Sequence, residues 1–449
     1  MTRLLQIPLT PLPSVRARGR VAIETLGCKL NQAESDALAR SFQAAGYELT
    51  DPRQPADIFI LNSCTVTHEA DRKARQTLRR ARRLSPTALT VLTGCYPSVA
   101  PDEAAQRSGA DLILPNRDKA GLVEVVAAHQ ARIEPTLPEA IEQDLPGNPG
   151  PERRTRAFVK IQDGCNDFCA FCIVPTARGR SVSRPPDEII AEVADRVAEG
   201  LQEVVLTGVQ IGWYGRGGGL RRRAGWDLAA LIRGILRDTA VARVRLTSIH
   251  PRDVSPALIE VLTDRRVCPH LHMSLQSGSE RILSLMRRRY TASGYLAKVE
   301  QVRARVPDLA FTTDIIVGFP GETDEDFEET CRVSRLAGFA QIHAFRYSAR
   351  AGTTAAGLPN LVPEPVKSSR AERLSALAGD LGREFVGRSL GQTRPVLFES
   401  RTPGGSWTGL TDTYLRVEVE SGRDLRGHLR PVRLEELAGD RLIGRLAGA

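Results

Sequence analysis

The chain has 449 residues, 41% of them apolar, and 62 Lys and Arg against 53 Asp and Glu give a formal net charge of +9. That length admits two or three domains with sizeable cores, and no stretch approaches the ~20 apolar residues of a membrane-spanning helix. Eight cysteines without a secretory leader pattern point to metal or redox chemistry rather than a disulfide framework, and to a cytoplasmic location.

In chain order, residues 1–17 read as a flexible tail. Residues 18–133 alternate short apolar runs, Val21–Ile23, Ile58–Leu61 and Leu89–Leu92, with helical stretches Glu34–Ala45 and Ala70–Arg83. This alternation predicts a parallel sheet covered by helices. Prolines and glycines over 134–155 exclude a helix or central strand and mark a linker. From 156 to 385 six strand candidates follow: Ala157–Gln162, Glu203–Thr207, Ala242–Ser248, His270–Gln276, Ala310–Gly318 and Gln341–Tyr347. Helical patterns such as Pro186–Glu199 separate them, and a last helix spans Ser369–Phe385. Six units are too few for the eight-stranded barrel and suit a partial (β/α)6 barrel with its site at the C-terminal strand ends. In 386–449, short β-branched runs Arg394–Glu399, Tyr414–Val419 and Leu425–Val432 predict a small antiparallel β-barrel. The fold class is therefore α/β with a terminal all-β unit.

Basic residues gather in runs at 72–75, 79–83, 153–156, 221–223 and 287–289, which fits a polyanionic partner as well as solvated faces. Cys165, Cys169 and Cys172 form a CxxxCxxC loop just after the first strand of the central unit. Three thiolates at this spacing can hold three irons of a [4Fe–4S] cube and leave the fourth open to a substrate chelate. A zinc loop with a distant fourth ligand and a set of structural cysteines are the plainer alternatives. Phe168 and Phe171 are placed to keep water from such a cluster. Cys28, Cys64 and Cys95 each follow a predicted strand of the first domain, so a parallel sheet brings all three to one edge, where ligands bind. A second open cube is one use of that edge; buried strand caps are another. Cys268 and Cys331 lack partners at useful spacing and read as core.

The CxxxCxxC loop with an aromatic before its last cysteine, at the end of the first strand of a six-unit barrel, resembles the radical S-adenosylmethionine superfamily. The resemblance implies reductive cleavage of S-adenosyl-L-methionine to methionine and a 5′-deoxyadenosyl radical. It also implies cofactor contacts at later strand ends: Gly208 and Gln210, Ser274 and Gln276, Gly318 and Glu322. The stretch Gln210-Ile211-Gly212-Trp213 departs from the more polar, His-containing one expected there. Two cysteine triads followed by a small barrel are similar to the methylthiotransferases, which insert sulfur into a C–H bond and methylate it. The similarity runs from about residue 19 to the C-terminus and implies two [4Fe–4S] clusters, an electron donor such as flavodoxin or ferredoxin, and two molecules of S-adenosylmethionine. One methylates a sulfur on the first-domain cluster, and the other supplies the radical.

The terminal barrel resembles the TRAM domain, an RNA-binding module. Arg394, Arg401, Arg416, Arg426 and Arg430 with Trp407 and Tyr414 would serve phosphate contact and stacking, and the module is expected to be separable from cofactor cleavage. The motifs Gly27-Cys28-Lys29-Leu30-Asn31-Gln32, Asn62 to Thr67 and His272 to Ser279 are most similar to the branch acting on N6-threonylcarbamoyladenosine at position 37 in the tRNA anticodon stem-loop. Arg178, Arg180 and Arg184 are candidates for the carboxylate of that nucleoside. Sister branches act on isopentenyladenosine in tRNA or on an aspartate of a ribosomal protein. The rival from another class is a non-catalytic, metal-stabilised RNA-binding protein.

Overall fold

The computed structural model describes residues 18–133, 154–216, 225–439 and 441–448. The expected tail 1–17, most of the expected linker and the run at 221–223 lie outside the described residues.

The first domain is a five-stranded parallel sheet of β1 (Arg20–Thr25), β2 (Glu48–Thr50), β3 (Ile58–Ser63), β4 (Leu89–Gly94) and β5 (Leu112–Pro115), in the order β2-β1-β3-β4-β5. All six residues of β3 are buried, as a central strand covered on both faces requires. Alternate side chains feed two cores. Val21, Ile58, Ile60 and Val91 pack under the helices Lys29–Ala44 and Leu122–Ile133. Ala22, Phe59, Leu61 and Leu92 pack under the helix His68–Leu84. The sheet order reverses direction between β1 and β3, and in such sheets the crevice beyond the strand ends at that point is where ligands bind.

The central unit has the six predicted strands in sequential parallel order. They are β6 (Arg156–Lys160), then, after the short pair β7 (Gln162–Asp163) and β8 (Val182–Ser183), β9 (Glu203–Thr207) and β10 (Arg243–Leu246). β10 continues past Thr247 as β11 (Ser248–Ile249), and β12 (His270–Met273), β13 (Ala310–Val317) and β14 (Gln341–Arg346) complete the array. Leu271, Met273, Phe311, Ile315 and Ile342 point outward into the core beneath the helices. By alternation, His270, His272, Thr312, Asp314 and His343 line the inside.

The barrel is open between β14 and β6, and the first domain fills the gap. On the β6 side the helix Lys29–Ala44 packs on β6, with Lys160 Nζ 2.7 Å from Glu34 Oε1. On the β14 side Arg350 donates to Thr65 Oγ1 at 2.6 Å and pairs with Asp71 at 2.8 Å, while His68 Nε2 lies 2.9 Å from the Ala349 carbonyl.

The terminal unit is a closed barrel of β15 (Thr393–Arg401), β16 (Trp407–Thr411), β17 (Arg416–Val419), β18 (Leu429–Ala438) and β19 (Arg441–Leu446). Four of its pairings are antiparallel; β17 and β19, which close it, run parallel. It docks through arginines of β10: Arg243 donates to the Pro395 and Leu410 carbonyls at 3.1 and 2.9 Å, and Arg245 to those of Thr411 and Asp412, each at 2.9 Å. Both guanidiniums share the fully buried Glu203 of β9, at 2.5 and 2.8 Å.

Candidate active site

Cys28, Cys64 and Cys95 stand just beyond the ends of β1, β3 and β4, at the switch-point edge the sequence predicts. They share one field: burial pushes the Cys64 thiol up to about 12, and Cys95 and Cys28 add to it. Two glycines make room. A Cβ on Gly27 would lie 2.9 Å from the Cys64 Cβ, and one on Gly94 would lie 2.4 Å from the Ser63 carbonyl oxygen. Both have positive φ, +128° and +106°, which L side chains rarely adopt.

The CxxxCxxC loop is held from several sides. Ala170 N–H donates to the Met286 carbonyl, and Ala355 N–H to that of Ala170. Burial pushes Cys165 up to about 11 and Cys172 up to about 12. Such thiols stay protonated at neutral pH unless a metal displaces the proton. N–H groups nevertheless point at sulfur: Asp167 N at 3.4 Å from Cys165, Arg288 Nη1 at 3.1 Å from Cys169, and Asn116 Nδ2 at 3.5 Å from Cys95. Cys28 is exposed, Cys95 buried and the other four partly buried; three thiols per site with donors aimed at sulfur fit an iron–sulfur cube at each triad.

The two triads are joined below by a buried polar network. The helix Val174–Arg178 begins two residues after Cys172. Its Arg178 reaches Glu34 at 2.8 Å, Asp163 at 3.1 Å and Asn31 Oδ1 at 2.5 Å. Lys119 adds bonds to Glu34 at 2.5 Å and to Asn116 Oδ1 at 2.8 Å. Burial alone would raise the Glu34 carboxyl, but Lys119, Arg178 and Lys160 hold it far below the carboxylate range. Asn116 bridges the domains, donating to the Ala177 carbonyl at 3.0 Å as well as to Cys95.

The expected cofactor positions follow the C-terminal ends of β9, β12 and β13. A Cβ on Gly208 would come 2.8 Å from the Gln162 carbonyl oxygen, the close approach its sequence position suggests. Gln210 is buried, lies 3.5 Å from the Cys165 sulfur through Oε1, and donates to Asp253 at 2.8 Å. Ser274 is buried and its carbonyl accepts from the Tyr290 hydroxyl at 2.8 Å. Gln276 has φ +65° and bridges to Ile315 beyond the regular end of β12. Gly318 has φ +71°, and its N–H donates to Glu322 at 2.6 Å. The Glu322 carboxylate also pairs with Arg370 at 2.6 Å, so much of its bonding capacity is already used.

Several expectations are corrected. Arg178 is buried in the network, and Arg184 is held by Glu192 at 2.7 Å; of the three candidates for a substrate carboxylate, only Arg180 has no ion-pair partner among the described residues. Trp407 is part of the terminal barrel's own core. Tyr414, at φ +73°, does not stand on the terminal barrel's outer surface as a free stacking residue but stacks on His270 with ring centroids 4.9 Å apart. Arg394 is spent on Asp308 at 2.8 Å. Phe171 packs in a small core, but Phe168 is 49% exposed and does not seal the loop.

Two features escaped the sequence. Arg288, in a run read as a solvated or RNA-binding face, turns inward to Cys169 and its own Tyr290 ring. Asp167, inside the CxxxCxxC loop, sits 3.0 Å from His250 Nδ1 and bonds Arg252. Burial would raise its carboxyl, and these two partners hold it well below the usual range. The sequence His250-Pro251-Arg252-Asp253 directly after β11 carried the signal, at a strand end facing the loop.

The comparisons agree with this layout. A model of the radical SAM superfamily matches residues 159–333, and one described as uncharacterized protein family UPF0004 matches 20–115. Threonylcarbamoyladenosine tRNA methylthiotransferase MtaB of Bacillus subtilis is 36% identical over 92% of this chain and 93% of its own length. The protein of the same name from Thermotoga maritima is 35% identical over 94% and 96%. The tRNA-2-methylthio-N(6)-dimethylallyladenosine synthase of Maricaulis maris is 35% identical over 96% and 98%. Among solved structures, the radical S-adenosylmethionine methyltransferase TsrM of Kitasatospora setae matches with a TM-score of 0.57 at 14% identity, covering 75% of this chain and 77% of that one, a likeness of fold. With relatives above 30% identity over nearly its whole length, the chain belongs to the radical S-adenosylmethionine methylthiotransferases.

Proposed function

We propose that this enzyme converts N6-threonylcarbamoyladenosine at position 37 of tRNA to its 2-methylthio derivative, with one [4Fe–4S] cluster on Cys165, Cys169 and Cys172 and a second on Cys28, Cys64 and Cys95. The observation that carries the reading is the joining of the two triads across one domain junction, through Asn116, Arg178 and Glu34. When bound, the clusters and S-adenosylmethionine supply the electron, the radical and the sulfur. The chain's part is to hold them: the first domain closes the gap in the barrel, excludes water from the junction and fixes the two cysteine edges relative to each other. Gly208, Gln210, Ser274, Gln276, Gly318 and Glu322 line the strand ends where S-adenosylmethionine would lie. Flavodoxin or ferredoxin is the electron donor in this reading, and the cytoplasm its location.

The family relatives with tRNA names support an RNA substrate, and the MtaB names support this nucleoside over its isopentenyl counterpart. Nucleoside analysis of tRNA from a deletion strain tests the choice. The expected result is loss of 2-methylthio-N6-threonylcarbamoyladenosine and accumulation of its precursor. Loss of the isopentenyl derivative instead would assign the chain to the sister activity. Anaerobic reconstitution should load about eight irons per chain, about four for each cube. One zinc per chain and no charge-transfer absorption would return the triads to a structural role.

A further inference from the structure

Lys29 follows Cys28 directly and opens the helix Lys29–Ala44, so its side chain leaves the edge that carries the first triad. It is half-buried, with its ammonium 5.1 Å from the Tyr414 ring centroid. Tyr414 rises from the terminal barrel against His270 of the central barrel, with Arg245 at 4.9 Å and Arg156 at 6.0 Å from the same ring. Arg245 is matched by Glu203, and Arg156 by Glu399 at 2.8 Å. Lys29 has no carboxylate within ion-pair distance among the described residues.

The opposite wall is polar. Ligand-type atoms of His272, Asp314 and His343 lie within 4.8 Å of one another. His272 bonds Asp314 at 3.1 Å and Thr312 Oγ1 at 3.0 Å, which fixes its ring, while His343 is exposed to the chamber. Three such residues alone could suit a divalent cation. The ammonium acts against that: burial lowers the His343 pKa most, Asp314 raises it, and His272 and then Lys29 lower it further, which places the ammonium near these three residues. A partly desolvated cation without a carboxylate partner favours an incoming anion.

We propose that Lys29, with His343 as a second donor, binds the carboxylate of the substrate's N6-threonylcarbamoyl group and so selects this nucleoside over uncharged N6 substituents. This rests on the function proposed above and replaces the arginines after the cluster loop as the carboxylate's partner. The site lies inside the central barrel, between the first triad and Tyr414. It gives the chain a reason to place a lysine beside a cluster ligand.

The test uses the reconstituted full-length enzyme with S-adenosylmethionine and two anticodon stem-loop RNAs. One carries N6-threonylcarbamoyladenosine; in the other the threonine carboxyl is a primary amide. Equilibrium binding should favour the acid about tenfold, the size of one hydrogen bond to a charged group. Lys29→Met should bring the two affinities within about twofold of each other, and Lys29→Arg should restore most of the preference. Equal affinities in the wild type, or a preference that survives in Lys29→Met, overturn the proposal. So does an equal fall for both RNAs, which would put Lys29 on a phosphate. Iron content of each variant checks the neighbouring cluster; if Lys29→Met loses iron, the wild-type ratio and the salt sensitivity of that ratio decide. Methylthio transfer to the acid RNA is read separately: its absence from the wild type defeats the proposed function, whereas transfer without an acid preference defeats only this inference.

Discussion

Replacing Cys28, Cys64 and Cys95 together with alanine should leave about four irons per chain, those of one cube. This variant should still form 5′-deoxyadenosine from S-adenosylmethionine but attach no methylthio group to RNA. The reciprocal replacement of Cys165, Cys169 and Cys172 should abolish 5′-deoxyadenosine while about four irons remain. The separation follows from where the network lies. Glu34, Lys119, Arg178 and Asp163 join the domains through carboxylates and cations, not through sulfur. Losing three thiols therefore leaves the junction standing. Iron analysis, product chromatography and RNA mass spectrometry read the three quantities independently. Methylthiolated RNA from the first variant would make its cysteines structural and leave the sulfur transfer without a site.

The second large effect concerns Glu203. It is fully buried among Arg243 and Arg245, with Arg156 at 3.9 Å, and these are the groups on which the terminal barrel docks. Burial would raise its carboxyl, but Arg245 and Arg243 pull it from 4.5 to about 2. A depressed carboxyl stabilises the fold above its unfolded pKa and loses that contribution as the pH falls. The window therefore runs from about pH 4.5 down to about pH 2, and the contribution is about 3 kcal/mol. Glu203→Gln leaves two buried guanidiniums short of a counter-charge and should cost about 3–5 kcal/mol at neutral pH. Denaturant titration at pH 7 and across the acid range would show both, the variant losing less further stability than the wild type on acidification. A variant as stable as the wild type at pH 7, with the same acid profile, would mean that the arginines find other partners.

Much of this was legible from the residues because the signals are local. The six central strands are short apolar or alternating runs between helical patterns, and all six occur where expected. Cysteines within three residues of the ends of β1, β3 and β4 reach one edge once those strands are parallel. The long-range pairings were not legible. Nothing near Arg178 announces Glu34, 144 residues away, and nothing near Thr65 announces Arg350, 285 away. Yet these contacts seat the first domain in the open side of the barrel. Runs of arginine misled for the same reason: register with distant elements decides which member turns inward, as Arg288 does. In the terminal unit, β16 and β19 escaped because Trp407–Thr411 is five residues with a central glycine, and β19 ends the chain. Tyr414 resembled a stacking residue by type, and only its left-handed backbone points it at His270.

The docking of the terminal barrel also bears on how the molecule opens. A module hung on a flexible tether melts by itself and exchanges its amide hydrogens at its own pace. Here the carbonyls of Pro395, Leu410, Thr411 and Asp412 are bonded by side chains rooted in β10 of the central unit. Undocking strands Arg243 and Arg245 in the interior, so local opening of β15 or β16 carries a penalty set by the neighbouring domain. The expected boundary at residue 386 falls inside the helix Glu364–Ser389. The terminal barrel and the inner strands β9 and β10 should therefore open as one cooperative unit, which hydrogen exchange would show as joint protection and joint release.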